Sequence, residues 1–359
     1  MQAAVCREFG QPLVIEDLTL DPPQAGEVLV KLSACAICHS DISYLQGHWG
    51  GALPAVYGHE AAGLVAEVGP EVARVSPGQA VIVTLIRACG HCYFCAHGAE
   101  NICETRFALD RESRLHDAAG QPIFQGLRTG AFAEYVVVHE SQLVVVPSSL
   151  PPASASLLAC GVITGVGAVT NTAQVPLGSS VVVIGVGGVG LNCVQGAALC
   201  GAQPIIAIDL LPPKLAAALG FGATHALNPG VEEAGAAVRA LTGGRGADYV
   251  FVAAGSGRAI DLGLTLLRRG GALVVVGMPP TGVLTQLELG NVAADSQRIL
   301  GSKMGSTRLS VDVPPLVQLY QQGRLKLDEL ITARYPLNQI NDAIAAVTHG
   351  AALRNVIVF

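Results

Sequence analysis

Four cysteines, Cys89, Cys92, Cys95 and Cys103, stand in the pattern C-x2-C-x2-C-x7-C. Four thiolates at such short spacings can close a tetrahedral shell around one zinc ion. The residues between them, Gly90, His91, Tyr93 and Phe94, allow the tight turns of a metal knuckle. The competing reading is a pair of disulfides or scattered buried thiols. Adjacent x2 spacings favour a metal, and the chain shows no secretory features. A complete shell of four thiolates leaves no coordination position for a substrate. The cluster is therefore structural, and any chemistry has to lie elsewhere.

The chain has 359 residues, enough for two domains with an ample core. Its formal net charge of -6 and pI of about 5.8 argue against nucleic acid as the partner of the knuckle, because a phosphate-binding surface needs basic residues. Ten cysteines, several of them unclustered (Cys6, Cys35, Cys193, Cys200), suit a reducing cytoplasm. The N-terminus, MQAAVCREFG, lacks the basic and apolar regions of a signal peptide. From Ser141 to Ile208 there is no charged residue, and a hydropathy profile could read a membrane span there. Pro147, Pro151, Pro152 and Pro176, with polar Asn171, Gln174, Asn192 and Gln195, break that stretch. Buried parallel strands read the same way, so no membrane partner is expected.

The first part of the chain alternates β-branched runs with Gly/Pro turns: EVLVKLSA, GLVAEVG, QAVIVTLI and FAEYVVV. These predict the strands of a mostly antiparallel, barrel-like domain. The character changes near residue 160. SSVVVIGVGGVGLNCVQGAALCGA reads as strand, glycine turn and helix; PIIAIDL as a strand; KLAAALGFGA as a helix ending on glycine. ADYVFVAAG and ALVVVGMPP read as buried strands with helical LGLTLLRRG between them. Such alternation predicts a doubly wound parallel sheet. From about Met304 the segments are mixed again and end in the strand NVIVF. The expected division is 1–161, an inserted 162–303, and 304–359.

Gly185, Gly187, Gly188, Val189 and Gly190 form the GVGGVG turn between the strand VVVI and a helix. Gly185 permits the tight turn, Gly187 lets backbone approach a pyrophosphate, and Gly190 allows close helix–strand packing. The helix N-terminus offers free N–H groups to phosphates. Asp209 closes the second strand, about twenty residues on, where its carboxylate can accept from both ribose hydroxyls. It would repel a 2′-phosphate, and Leu210 supplies no cation to offset that, so NAD is expected over NADP. Lys214 either reaches the ribose or is a solvated lysine at a helix start.

A second metal set is dispersed: Cys38 in AICHSD, His59 and Glu60 in GHEAAG, and Cys160 in LLACGVITG. Two thiolates and an imidazole would hold zinc with a fourth position open. Taken singly, Cys160 also reads as a small buried apolar residue and His59 as a turn histidine. The run Gly58–Val72, GHEAAGLVAEVGPEV, together with CHSD, the four-cysteine lobe, the ACG around Cys160 and the glycine turn, resembles the zinc-containing alcohol dehydrogenases of the medium-chain dehydrogenase/reductase superfamily. The resemblance covers essentially the whole chain. It implies a GroES-like β-barrel catalytic domain, an inserted Rossmann domain and a cleft between them.

By that resemblance, Cys38, His59 and Cys160 are catalytic zinc ligands, with Glu60 a nearby carboxylate that can approach the metal. The four clustered cysteines hold a second, structural zinc. The reaction implied is reversible oxidation of a small-molecule alcohol to aldehyde or ketone with hydride transfer to NAD. Ser40 resembles the family hydroxyl that takes the alcohol's proton. Ser43 stands where many relatives carry a relay histidine, and His48 is the candidate substitute. His39 stands where some relatives place an arginine on the pyrophosphate, and Arg354 resembles a second phosphate-binding arginine. Trp49, Leu85 and Met278 match substrate-lining positions; each also reads as ordinary core. Primary alcohols, benzylic or allylic among them, are the expected substrates. The alternatives are a thiol-dependent formaldehyde dehydrogenase and, in another class, a zinc-knuckle interaction protein. The long segment from Glu104 to Gly130 favours a homodimer, by analogy, with a homotetramer as the alternative.

Overall fold

Apolar residues at alternate positions of Glu27–Ala36 (EVLVKLSACA) build the central strand of a seven-stranded sheet. It pairs antiparallel with Glu60–Val68, Tyr135–His139 and Arg354–Val358. A second, six-stranded sheet contains Gln2–Cys6, Val14–Asp17, Ala55–Val56 and Pro122–Gln125. Pairing is mostly antiparallel, as the alternation predicts. Parallel pairs occur where Ile331–Pro336 meets Arg354–Val358 and where Ala55–Val56 meets Pro122–Gln125. The computed structural model describes residues 1–350 and 352–359. The chain divides into two compact units, Met1–Gly161 with Arg308–Phe359, and Val162–Thr307.

Register in the first unit decides where chemistry can collect. Ala36 lies opposite both Glu60 and Val356. The chain runs on from Ala36 through Ile37 to Cys38, which caps helix α1, His39–Leu45. One end of this sheet therefore carries Cys38, the His59–Glu60 pair and Arg354, drawn from three distant stretches of sequence. The core beneath them is aliphatic, with Val28, Val30, Leu32, Val65, Val136 and Ile357 buried together.

The segment Glu104–Gly130 is not a free loop. It contains the antiparallel pair Leu115–His116 and Pro122–Gln125. Arg114 donates to Glu27 through Nε (3.0 Å) and Nη2 (2.7 Å), a two-pronged buried ion pair. Arg87, fully buried, donates to Gln142 Oε1, Asp110 Oδ1 and the Arg128 carbonyl oxygen.

The second unit holds six parallel strands: β1 Val181–Ile184, β2 Ile205–Ile208, β3 His225–Leu227, β4 Ala247–Val252, β5 Leu267–Val275 and β6 Arg298–Gly301. Their order is β3-β2-β1-β4-β5-β6. This doubly wound arrangement opens a crevice where strand order reverses at β1. One boundary differs from expectation. LGLTLLRRG is not helical throughout; the helix ends at Leu266 and Leu267–Gly270 already belong to β5.

The helical run α2, Pro152–Thr172, is long and apolar enough to cross a membrane, yet 94% of its apolar window is buried within the protein. Burial explains the uncharged stretch that a hydropathy profile misreads. Two π-helical segments interrupt the run, and the first, Leu158–Val162, carries Cys160. Such widened turns concentrate at functional positions.

Candidate metal centres and nucleotide turn

Cys38, His59, Glu60 and Cys160 converge, each offering one ligand atom, with all four atoms within 4.8 Å of one another and all four residues buried. Asp41, buried on α1, organises the approach. Its Oδ2 accepts from the Cys38 amide (3.0 Å), and its Oδ1 accepts from the Gly58 amide (3.0 Å) and from His59 Nδ1 (2.9 Å). A carboxylate can only accept, so Nδ1 carries a proton and Nε2 is the nitrogen left for the cluster. Nε2 is buried and meets no hydrogen-bond partner. An orphaned imidazole nitrogen facing two thiols fits a zinc ligand set, and a carboxylate behind the ring is its usual support.

A hydrogen bond from Cys160, stronger in effect than burial and helped by the charge of His59, holds Cys38 well below an ordinary thiol. Cys160, which keeps the proton of that bond and is buried, is held well above. Burial opposes charge on His59, but the Asp41 charge and hydrogen bond outweigh it and hold the ring well above its ordinary value. Burial pushes Glu60 up to about 8 against the pull of Arg354.

Arg354 is enclosed beside this cluster, with 4% of its surface exposed. Its Nη1 donates to the Ile37 carbonyl (3.2 Å), and Nη2 lies 3.1 Å from Glu60 Oε1. Gly161 makes room for it: a Cβ there would stand 1.7 Å from Nη2. The arginine offsets the negative charge that two thiols and a carboxyl bring to one buried place.

Around the cluster, Ser40 is half-buried in the first turn of α1, and His39, its first residue, is exposed. Ser43 is half-buried on α1, and its carbonyl accepts from the amide of exposed His48 (2.9 Å) just past the helix. Trp49 is half-buried and meets Tyr44 edge-on at 5.2 Å. Leu85 is half-buried. Met278 belongs to the second unit and is 63% exposed, so it is not a core residue of that unit. Asp41 is the member that the sequence reading left without a role. Its signal was present in CHSD, three residues after Cys38, the position from which a side chain reaches back to the N-cap amide.

Cys89, Cys92, Cys95 and Cys103 also converge within 4.8 Å. The amides of His91 and Cys92 point at Cys89 Sγ (3.5 and 3.2 Å), and the Cys95 amide at Cys92 Sγ (3.5 Å). Against its burial, these bonds and one from Thr105 lower Cys89 to about 6. Amides aimed at sulfur stabilise thiolates, and four thiolates at this separation fit zinc. Among the described residues no disulfide forms.

In the second unit the glycine turn leaves β1 and enters helix α3, Gly188–Leu199, with Gly187 at its N-cap. Gly185 has φ +85°, and a Cβ there would meet the Ala254 amide at 2.9 Å. A Cβ on Gly190 would stand 1.9 Å from the Gly185 carbonyl, so only glycine lets the helix pack this closely. Gly187 is open, which suits backbone approach to a ligand; Lys214 Nζ lies 4.0 Å from where its Cβ would be. Gly188 and Val189 are half-buried in the first turn of α3. Asp209, at the end of β2, accepts from the Val186 amide (2.9 Å) and from the Leu211 amide (3.0 Å), so it braces the turn.

A barrel-like unit with a three-ligand metal set and a doubly wound unit with a nucleotide turn define a metal- and nucleotide-dependent oxidoreductase. Comparison with known proteins narrows that class. The family described as alcohol dehydrogenase GroES-like domain matches residues 24–148, and that described as zinc-binding dehydrogenase matches residues 188–322. The NDMA-dependent alcohol dehydrogenase of Amycolatopsis methanolica is 36% identical over 366 residues, 99% of this chain and 98% of that protein. The S-(hydroxymethyl)glutathione dehydrogenase of Paracoccus denitrificans is 36% identical over 378 residues, 100% of this chain and 99% of that protein. Among solved structures, benzyl alcohol dehydrogenase from Acinetobacter calcoaceticus superposes with a TM-score of 0.93 at 31% identity, covering 100% of this chain and 99% of that one. The chain belongs to the zinc-containing alcohol dehydrogenase family of the medium-chain dehydrogenase/reductase superfamily. It is an enzyme of alcohol oxidation that uses zinc and a pyridine nucleotide on small-molecule substrates.

Proposed function

We propose that this enzyme oxidises primary alcohols, benzylic and allylic ones among them, with NAD, using zinc held by Cys38, His59 and Cys160. The observation that carries this reading is the orphaned, buried His59 Nε2 facing the paired thiols of Cys38 and Cys160. When bound there, zinc supplies a Lewis acid that lowers the pKa of an alcohol hydroxyl. NAD is the hydride acceptor. The residues do the remainder. Asp41 fixes the imidazole, and Arg354 with Glu60 balances charge. Ser40, a hydroxyl that can both donate and accept, takes the alcohol's proton and hands it outward. Ser43 cannot take up an additional proton at neutral pH, so the outer end of the relay is water or the exposed His48. His39 meets the pyrophosphate as a hydrogen-bonding group where some relatives place an arginine.

The second zinc, on the four clustered cysteines, is structural and brings the count to one metal per site. Asp209 and Lys214 read the ribose, and Trp49, Leu85 and Met278 line the substrate site. The assembly is a homodimer, supported by the exposed Ile299 on the edge strand β6. A reducing cytoplasm suits ten cysteines, none of them in a disulfide among the described residues.

The test is NAD(H) turnover over a panel of alcohols and aldehydes, with zinc counting. Cys160→Ala is expected to lose activity and one of two zinc ions; unchanged turnover would sink the ligand set. Asp209→Ala is expected to shift preference from NAD toward NADP, and an unchanged ratio would assign ribose reading to another residue. Formaldehyde assayed with and without glutathione separates the thiol-dependent reading. The loop Gln46–Val56 carries no acid to hold a thiol's charged groups, so little thiol dependence is expected.

A further inference from the structure

Cys38 and His59 are separated by a helix and a glycine-rich loop, yet their ligand atoms must keep one distance. Asp41 supplies a polar tie between the two segments, through the Cys38 and Gly58 amides and His59. A second tie is aromatic. Tyr44, in the last turn of α1, stacks on Tyr57, two residues before His59, with ring centroids 5.6 Å apart and planes 22° from parallel. The other side of the Tyr57 ring is closed by backbone: a Cβ on Gly126 would stand 2.3 Å from it. Tyr57 is 2% exposed, and its hydroxyl has no hydrogen-bond partner. What Tyr57 contributes is therefore its ring rather than its hydroxyl. Trp49 packs edge-on to Tyr44 at 5.2 Å, which pins the intervening loop to the same stack.

Building on the assignment of zinc to Cys38, His59 and Cys160, we propose that the Tyr44–Tyr57 stack is a positioning clamp that holds the Cys38- and His59-bearing segments at ligand spacing and so retains the catalytic metal. Tyr44 and Tyr57 are positioning residues and touch no reactant. Stacked rings are rigid and hold their spacing with little entropy left to lose.

The experiment is zinc release from the full-length, zinc-loaded enzyme to a chromogenic chelator, followed with thermal unfolding and with fluorescence of Trp49, the chain's one tryptophan. Release is expected in two phases, and Cys160→Ala identifies the catalytic one by abolishing it. Tyr44→Leu is expected to speed that phase by roughly tenfold, the scale on which supports behind metal ligands act. It leaves the lobe phase in place and shifts Trp49 emission. Tyr44→Phe restores slow release, and Tyr57→Phe leaves it unchanged. Tyr44→Met, closer in volume, serves where Tyr44→Leu does not fold. Unchanged release in the Tyr44 variants overturns the clamp, as does equal acceleration of both phases in step with a lower Tm. If Cys160→Ala removes neither phase, the zinc assignment itself has failed, and that outcome differs from failure of the clamp alone.

Discussion

Asp41 shows what a single buried acid can do. Fully enclosed, it ends on three donors, and each belongs to the backbone or ring of a metal-binding segment. Asp41→Asn keeps the shape but puts an amide where an acceptor is needed, and it removes the charge behind His59. We expect zinc affinity at that site to fall roughly 10- to 100-fold, with the lobe zinc retained. Metal titration by competition with a calibrated chelator measures it; equal affinities would mean that His59 is held by packing alone. Cys38, His59, Glu60 and Cys160 were legible in sequence only through the company of their motifs. Asp41 was overlooked because a carboxylate on a helix ordinarily reads as a solvated residue, and only its burial reveals the role. The enclosure of Arg354 beside Glu60 was likewise not legible in the sequence.

At the scale of elements, apolar runs predicted the strands well because buried parallel strands have no polar face to interrupt them. LRRG failed because two arginines and a glycine look unlike a strand. Arg268 is nonetheless in β5, where its Nε pairs with Asp248 of β4 (2.5 Å). Asp248 also accepts from the Ser180 amide (2.8 Å) and hydroxyl (2.6 Å), just before β1. One carboxylate thus joins β1, β4 and β5 at their amino ends. Burial alone would raise its pKa; the Ser180 and Arg268 bonds outweigh that and hold it below 3.8. A depressed folded pKa stabilises the protein above the unfolded value and loses that contribution as pH falls through the folded one. Asp248→Asn is therefore expected to cost about 1.5–3 kcal/mol at pH 7, the range for bonds to a charged group. The cost should shrink as pH drops below 3.8. Denaturant unfolding across that window checks the sign; a gap that widens in acid would contradict it.

At the scale of the whole molecule, the four-cysteine lobe and the dispersed cluster make different demands on folding. The lobe closes within fifteen residues of chain. Cys95→Ser opens the shell, so we expect loss of one zinc and a lower Tm, with the catalytic zinc retained. Equilibrium dialysis with metal analysis, alongside calorimetry, tests this; a variant that keeps its Tm would show the lobe folds without metal. Local signals were readable because they depend on residues close in sequence. The cysteine spacing, the glycine turn after VVVI and the strand–helix alternation each rest on backbone geometry that a few neighbours dictate. The sequence by itself thus determined the class of fold, the lobe and the nucleotide turn. Tertiary structure alone decided that Cys38, Glu60 and Arg354 share one sheet end and that Cys160 arrives there on a π-helical turn. It also decided that Asp41 orients His59. Those facts depend on strand register and burial, which arise only when segments far apart in the chain exclude water from one another.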